Sequence, residues 1–219
     1  MNSGFFITGT DTDVGKTWVS VALLRKFRRQ GYTVAGMKPV AAGCEWRDDC
    51  LRNGDALLLQ ANSVPQLNYS QINPYAFAMP VSPHLACGEI QVNLAHILDQ
   101  LQTIRQRADW VLVEGAGGWL SPLSSSLDNA GLAVALQLPV IMVVALRLGC
   151  LNHARLTYQA VCQQGLPCAG WVAVEIEAGR TDVHANLDYL RRHIAAPLLG
   201  VMPYQAIPDF DVLADNLSF

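Results

Sequence analysis

The sequence is poor in charge. Asp, Glu, Lys and Arg make up 15% of its 219 residues, and the formal net charge is −3. No basic run suggests a nucleic-acid partner, and no acidic tail suggests a solvating segment. The six cysteines (Cys44, Cys50, Cys87, Cys150, Cys162, Cys168) form no C-x-x-C pair and show no metal-ligand spacing. They read as reduced thiols of a cytoplasmic protein. Phe5-Phe6-Ile7 is too short for a signal peptide, and no apolar run has the length of a membrane span. No internal repeat or low-complexity linker divides the chain, so one domain over 1–219 is expected. A hydrophobic content of 51% is enough to give it a sizeable core.

Short apolar runs alternate with amphipathic segments. Strands are expected at Phe5–Thr8, Val34–Met37, Trp110–Val113, Pro139–Leu146, Gly170–Val174 and Leu198–Met202. Helices are expected at Lys16–Arg29, from Asp55 to Ala61, and at Leu94–Arg107, His153–Gln164 and Val183–Ile194. This alternation predicts an α/β fold with a parallel sheet and helices on both faces. Ligands of such sheets bind in the loops that follow the strands.

The first of these loops reads TGTDTDVGKT, from Thr8 to Thr17. It has the Gly-Lys-Thr ending of a phosphate-binding loop. Five residues separate Gly9 from Gly15 where the usual pattern has four. Gly15 lets the backbone turn around a phosphate, and the helix start behind it offers free N–H groups. Lys16 can reach the terminal phosphates, and the Thr17 hydroxyl can bind Mg²⁺. The extra length brings Thr12 and Asp13 to where they could touch the γ-phosphate or a second substrate. Lys38 closes the second strand in GMKPVAAG, where it is either a solvated lysine or a counter-charge to a transferring phosphoryl group. Asp55, in RNGDALLLQ, is either an N-cap or a metal-site carboxylate. Glu114 ends DWVLVE before the glycine run Gly115 to Gly118, a place that suits a Mg²⁺ contact. Gly149, Cys150, Leu151 and Asn152 open a helix whose N–H groups could hold a substrate carboxylate, or Asn152 simply caps it. His84 and His153 have no ligand partner at metal spacing, and His153 reads as structural.

In this order, the pieces TGTDTDVGKT, AGMKPVA, LRNGDALLLQ, INPYAF, SPH, DWVLVEGAGGW, LPVIMVV, LGCLNHA, AGWVA and APLLG resemble the dethiobiotin synthetase family. The resemblance runs from Phe6 to Pro203 and includes the lengthened phosphate loop. It implies a P-loop NTPase-type fold, a homodimer, and the substrates ATP, CO₂ and 7,8-diaminopelargonate (7,8-diaminononanoate), with Mg²⁺. It implies catalytic roles for Lys16, Lys38 and Thr12, and a metal environment of Thr17, Asp55 and Glu114. It places the nucleotide against Asp13, Val14, Gly15, Lys16, Thr17, Trp18, Asp55, Glu114, Gly115, Ala116 and Gly117. The base lies near Val174, Glu175, Pro203 and Tyr204. It places the diamine near Ala42 and Gly118, with its carboxylate tail at Gly149–Asn152 across a dimer interface.

Three positions depart from the family pattern: Asp13 stands for Glu, Ala42 for Ser or Thr, and Val174 for an adenine-reading Asn. Two other readings share the loop. One is a P-loop switch ATPase of the partitioning type, which would carry a second lysine where this chain has Asp11. The other is a catalytically silent relative that only binds nucleotide or diamine.

Overall fold

The computed structural model describes residues 3–219, and the apolar runs become strands of one parallel sheet. The first half of the chain supplies β1 (Ser3–Gly9), α1 (Lys16–Arg29), β2 (Val34–Met37), β3 (Val40–Ala41), β4 (Glu45–Arg47), β5 (Cys50–Arg52), α2 (Gly54–Ala61), α3 (Tyr69–Ile72), β6 (Tyr75–Ala76), α4 (Pro83–Ala86) and α5 (Leu94–Arg105). The second half supplies β7 (Trp110–Gly118), α6 (Asn129–Leu136), β8 (Val140–Ala145), α7 (Cys150–Gln163), β9 (Cys168–Val174), α8 (Val183–His193), β10 (Leu198–Met202) and α9 (Phe210–Asp215). The main sheet runs β10-β9-β8-β1-β7-β2, with every pairing parallel. Chain order reverses around β1, so the loop after β1 opens at the crevice where ligands of such sheets bind.

The two faces of the sheet can be read residue by residue. On β8 and β9, Ile141, Val143, Val172 and Val174 pack into the larger core. Met142, Val144, Trp171 and Ala173 alternate with them and pack with Ala154 of α7 and Leu187 and Leu190 of α8. A strand buried on both faces needs an unbroken apolar run, which is what the sequence supplies. At the other end of β1, Trp110 stacks between Phe5 (centroids 5.5 Å apart) and Phe27 of α1 (4.5 Å). Helix α9 lies along α1, where Arg25 and Arg29 pair with Asp211 at 2.7 and 2.8 Å and Arg29 with Asp215 at 2.7 Å. No helix among the described residues is long and apolar enough to cross a membrane.

Several expectations change. The strand expected to stop at Val113 continues through Glu114 and the glycines to Gly118. Asn129 makes this possible, because its side-chain amide donates to the carbonyls of Ala116 and Gly118 (both 2.7 Å) and its oxygen accepts from the Ala116 N–H (3.2 Å). Asp55 is not the N-cap of α2. Asn53 is, accepting from the Ala56 N–H at 3.2 Å, which leaves the Asp55 carboxylate available in the first turn. The β4–β5 hairpin, α6 and α9 were not expected. The hairpin turns through Asp48 and Asp49, both left-handed at φ 49° and 60°.

Candidate active site

The carboxyl ends of β1, β2, β7 and β9 surround a cleft of about 790 Å³. Its floor is the phosphate loop. Gly15 has φ +94°, and a Cβ there would lie 3.0 Å from Val174 Cγ1. Gly9 is just as constrained, since a Cβ would meet Val14 Cγ2 at 2.6 Å. These two close approaches fix the loop ends as glycine. Thr12, Asp13, Gly15, Lys16, Thr17 and Trp18 line the cleft, while Val14 is buried beneath the loop. The front of the loop is tied to the neighbouring strand by Thr10 N–H donating to Val143 O at 3.0 Å.

Two lysines and two carboxylates meet above this floor. Lys38 is 5% exposed and donates to Glu114 Oε1 at 2.8 Å and to Asp55 Oδ2 at 2.5 Å. Glu114 also accepts from the Thr17 hydroxyl at 2.8 Å and from Ser20 Oγ at 3.0 Å. Lys16 donates to the Asp11 carbonyl at 2.8 Å. Burial pulls the pKa of Lys16 down to about 8; the nearby Lys38 charge adds to this, while Glu114 opposes it. Burial alone would lower Lys38 too, but Glu114 and Asp55 outweigh it and raise Lys38 above the ordinary lysine range. For Asp55 burial pushes upward, and pairing with Lys38 more than reverses it, leaving the carboxyl below its usual value.

A second layer aims these groups. Asn73 donates to the Lys38 carbonyl at 2.7 Å, and the Lys38 N–H donates to Ile72 O at 2.8 Å. Tyr69 donates to Asn73 Oδ1 at 2.9 Å and accepts from the Asn53 N–H at 2.7 Å. The chain Asn73–Tyr69–Asn53 therefore fixes the end of β2 relative to the start of α2, and so Lys38 relative to Asp55.

The donor set suits a hard divalent cation. Thr17, Asp55 and Glu114 offer only oxygen, and they are joined through Glu114 and the Lys38 ammonium. Among the described residues no group of three or more His, Cys, Asp or Glu could hold a metal. An ion at this place would need ligand phosphates to complete its shell, which is the usual habit of Mg²⁺.

Other expected residues divide. Ala42, Ala116, Gly117, Val174, Glu175 and Tyr204 line the cleft. Gly115, Gly118 and Pro203 do not. Gly115 is packed against Asn129, where a Cβ would meet Oδ1 at 2.7 Å, and Gly118 N–H is engaged by Ser121 Oγ at 2.8 Å. Gly149, Cys150, Leu151 and Asn152 also lie outside the cleft of their own chain. Cys150 is buried in the second core, whereas Leu148 just before it is 92% exposed. Sequence reasoning missed Asn53, Ser82, Ser121 and Ile176 on the cleft wall. It also missed Ser20 and Asn129 behind it. Ser82 and His84 do interact, Oγ to Nδ1 at 2.9 Å, and SPH was the one signal that pointed there.

Comparison with known proteins adds the family. Residues 3–209 match the protein family described as an AAA domain. Among similar solved structures are the septum site-determining protein MinD from Pyrococcus horikoshii complexed with Mg-ADP (TM-score 0.59, 15% identity, 94% of this chain and 82% of that one). Another is the signal recognition particle receptor FtsY from Elizabethkingia anophelis (TM-score 0.55, 14% identity, 99% of this chain and 65% of that one). At such identities these share the fold. The ATP-dependent dethiobiotin synthetase BioD of Xanthomonas axonopodis pv. citri is 47% identical over 216 residues, covering 98% of this chain and 96% of that protein. That of Yersinia pestis bv. Antiqua is 51% identical over 207 residues, 93% and 86% of the two chains. With a lengthened phosphate loop, two buried lysines and near-full-length identity of this order, the chain belongs to the family of ATP-dependent dethiobiotin synthetases.

Proposed function

We propose that this protein converts 7,8-diaminopelargonate, CO₂ and ATP to dethiobiotin, ADP and phosphate, in the cytoplasm and as a homodimer with Mg²⁺. One amine of the diamine adds to CO₂ and loses a proton, giving a carbamate. A carbamate oxygen attacks the γ-phosphorus, the bond to the ADP oxygen breaks, and a carbamic–phosphoric anhydride results. The second amine then attacks the carbamoyl carbon, phosphate leaves, and the ureido ring closes.

This reaction brings one anion up to another, so the site must supply positive charge in a water-poor place. The observation that carries the reading is the buried Lys38, held by Asp55 and Glu114 above the phosphate loop. Lys16 leaves the Asp11 carbonyl for the terminal phosphates. Lys38 is held on two carboxylates at the height where the carbamate would meet the γ-phosphate. Thr12 faces the same space and orients the carbamate. Thr17, Asp55 and Glu114 would hold Mg²⁺, which when bound supplies further positive charge to the phosphate oxygens. Gly15 and the start of α1 cradle the phosphates. Val174, Glu175 and Tyr204 take the base, with apolar contact from Val174. None of these groups needs to bond covalently to substrate, so positioning and electrostatics supply the rate.

The turn at Gly149–Asn152 serves the second subunit in this reading. It lies outside its own cleft, with Leu148 exposed beside it, and its helix start suits a remote carboxylate. The test is mass spectrometry of products from protein, Mg-ATP, ¹³C-bicarbonate and the diamine, together with phosphate release. A labelled ureido product and diamine-dependent phosphate release are expected. Phosphate release at the same rate without diamine, and no ureido product, would overturn the reading in favour of a switch ATPase.

A further inference from the structure

The phosphate loop carries an acid that the reaction does not call for. Asp11 stands within the lengthened loop between Gly9 and Gly15, in a segment that the proposed function requires to accept a triphosphate. Its three acceptor atoms are all engaged. Oδ1 accepts from the Thr12 N–H at 2.7 Å. The backbone carbonyl accepts from Lys16 Nζ at 2.8 Å. Oδ2 accepts from Arg147 Nη2 at 2.5 Å. Arg147 comes from a different part of the chain, two residues beyond β8, and its backbone is fixed on both sides. Its N–H donates to Ala145 O and its carbonyl accepts from Cys150 N, both at 3.0 Å. The pair is part-exposed, 33% for Arg147 and 48% for Asp11, and pairs of that exposure add little to folding. Its location is what distinguishes it.

We infer that Arg147 is a positioning residue for nucleotide binding. It draws the Asp11 carboxylate toward the end of β8 and neutralises it there. Released, that carboxylate would stay within reach of Lys16 and Thr12, compete with the phosphates for the lysine, and repel them. Held, it leaves Oδ1 to fix the Thr12 N–H, and so presents Thr12 to the cleft it lines. Arg147 thus acts on ligand only through Asp11. The same short segment runs on into the Gly149 turn, so the nucleotide loop and that turn share one anchor. The inference rests on the proposed use of the loop for ATP.

The test is a charge-pair cycle read by Mg-ATP affinity (calorimetry), by kcat and KM for dethiobiotin formation, and by melting temperature. Arg147→Met should weaken Mg-ATP binding by about tenfold or more, because it leaves an unpaired carboxylate in the loop. Adding Asp11→Asn to that variant should return affinity to within about threefold of native, since asparagine keeps the acceptor for Thr12 but not the charge. Arg147→Lys, which keeps the charge, should stay nearer to native than Arg147→Met. Native affinity in Arg147→Met, no recovery in the double variant, or equal losses in the Lys and Met variants would each overturn the inference. A general structural role would lower the melting temperature of both Met-containing variants alike, without rescue by Asp11→Asn. Native protein that binds Mg-ATP but makes no dethiobiotin would remove the proposed function and leave the cycle readable. Native protein that binds no Mg-ATP would remove both.

Discussion

Two helix starts in this molecule look alike and have different surroundings. Gly15 and Gly149 are both left-handed N-caps, at φ 94° and 90°, and each opens a 14-residue helix. The start of α1 is surrounded by its own chain: Lys16, Lys38, Asp55 and Glu114 close over it. The start of α7 has no such surroundings. Asn152 is exposed, Leu148 is 92% exposed, and neither lines the cleft. A helix N-terminus offers the same N–H groups and partial charge in both places. What distinguishes the first is the set of charged side chains that other loops bring to it.

The comparison is tested most severely at Lys38. Lys38→Ala should cost on the order of 3 kcal/mol in the barrier for dethiobiotin formation, while Mg-ATP affinity changes less. Single-turnover rates and calorimetry separate the two, and an unchanged turnover number would remove Lys38 from the reaction. At the other helix, Asn152→Ala should leave Mg-ATP affinity as it is.

Next in size is a pH effect confined to the first helix start. Burial holds Lys16 at about 8, against 10.5 for an ordinary lysine. Phosphates bound against it favour its charged form, so binding takes up a proton once the free protein has lost it. Mg-ATP affinity should therefore fall as pH rises above about 8, by at most about tenfold per pH unit. Calorimetry in buffers of different ionisation enthalpy should show proton uptake in that range. The same shift makes Lys16 favour folding more as pH rises from about 8 to 10.5, because the unfolded chain then binds the additional proton. Lys16→Met should abolish the uptake.

The turn yields a smaller signature. The methyl ester of the diamine should bind several-fold more weakly than the acid, at about 1 kcal/mol for one exposed anion at a helix start, with turnover at saturation changed less. Equal affinity for acid and ester would separate the turn from substrate altogether. Last is the base, where the expectation is an upper bound. Val174 is buried against Gly15; if the base lies there as proposed, it meets only an apolar side chain, so kcat/KM for ATP, CTP, GTP and UTP should spread within about tenfold, or roughly 1.4 kcal/mol. The spread should widen in favour of ATP in Val174→Asn. A native preference near a thousandfold would give the discrimination to Glu175 or Tyr204 instead.

How much could be read in advance depends on whether the cause is local. Lys16–Arg29, Val34–Met37 and Leu198–Met202 were bounded correctly because their apolar pattern and the nearby Gly15, Pro39, Pro197 and Pro203 act over a few residues. The glycines after Glu114 were read as a loop, since glycine weakens a strand. They remain strand because Asn129, from a later helix, bonds to their carbonyls. The β4–β5 hairpin has two exposed aspartates at its turn and no apolar alternation to announce it. In the cleft, residue types were legible and their partners were not. Lys38 was visible as a strand-end lysine, but its carboxylates lie 17 and 76 positions away. The turn at Gly149 has the local chemistry of an anion site. The sheet order brings it to the same carboxyl edge as the other loops, yet it does not line the cleft of its own chain.

That sheet order also governs when the phosphate loop can exist during folding. Strand β1 makes no pairing with β2, its successor in sequence. It pairs with β7 and β8, so that Phe6 lies beside Val113 and Val140. Its two hydrogen-bonding edges are satisfied only after most of the chain has been made and has folded back across it. Pairings of such long sequence separation are slow, and until they form β1 is an apolar strand open on both edges. An N-terminal fragment that ends before β7 therefore contains the whole Gly-Lys-Thr loop without either of the strands that hold β1 in place.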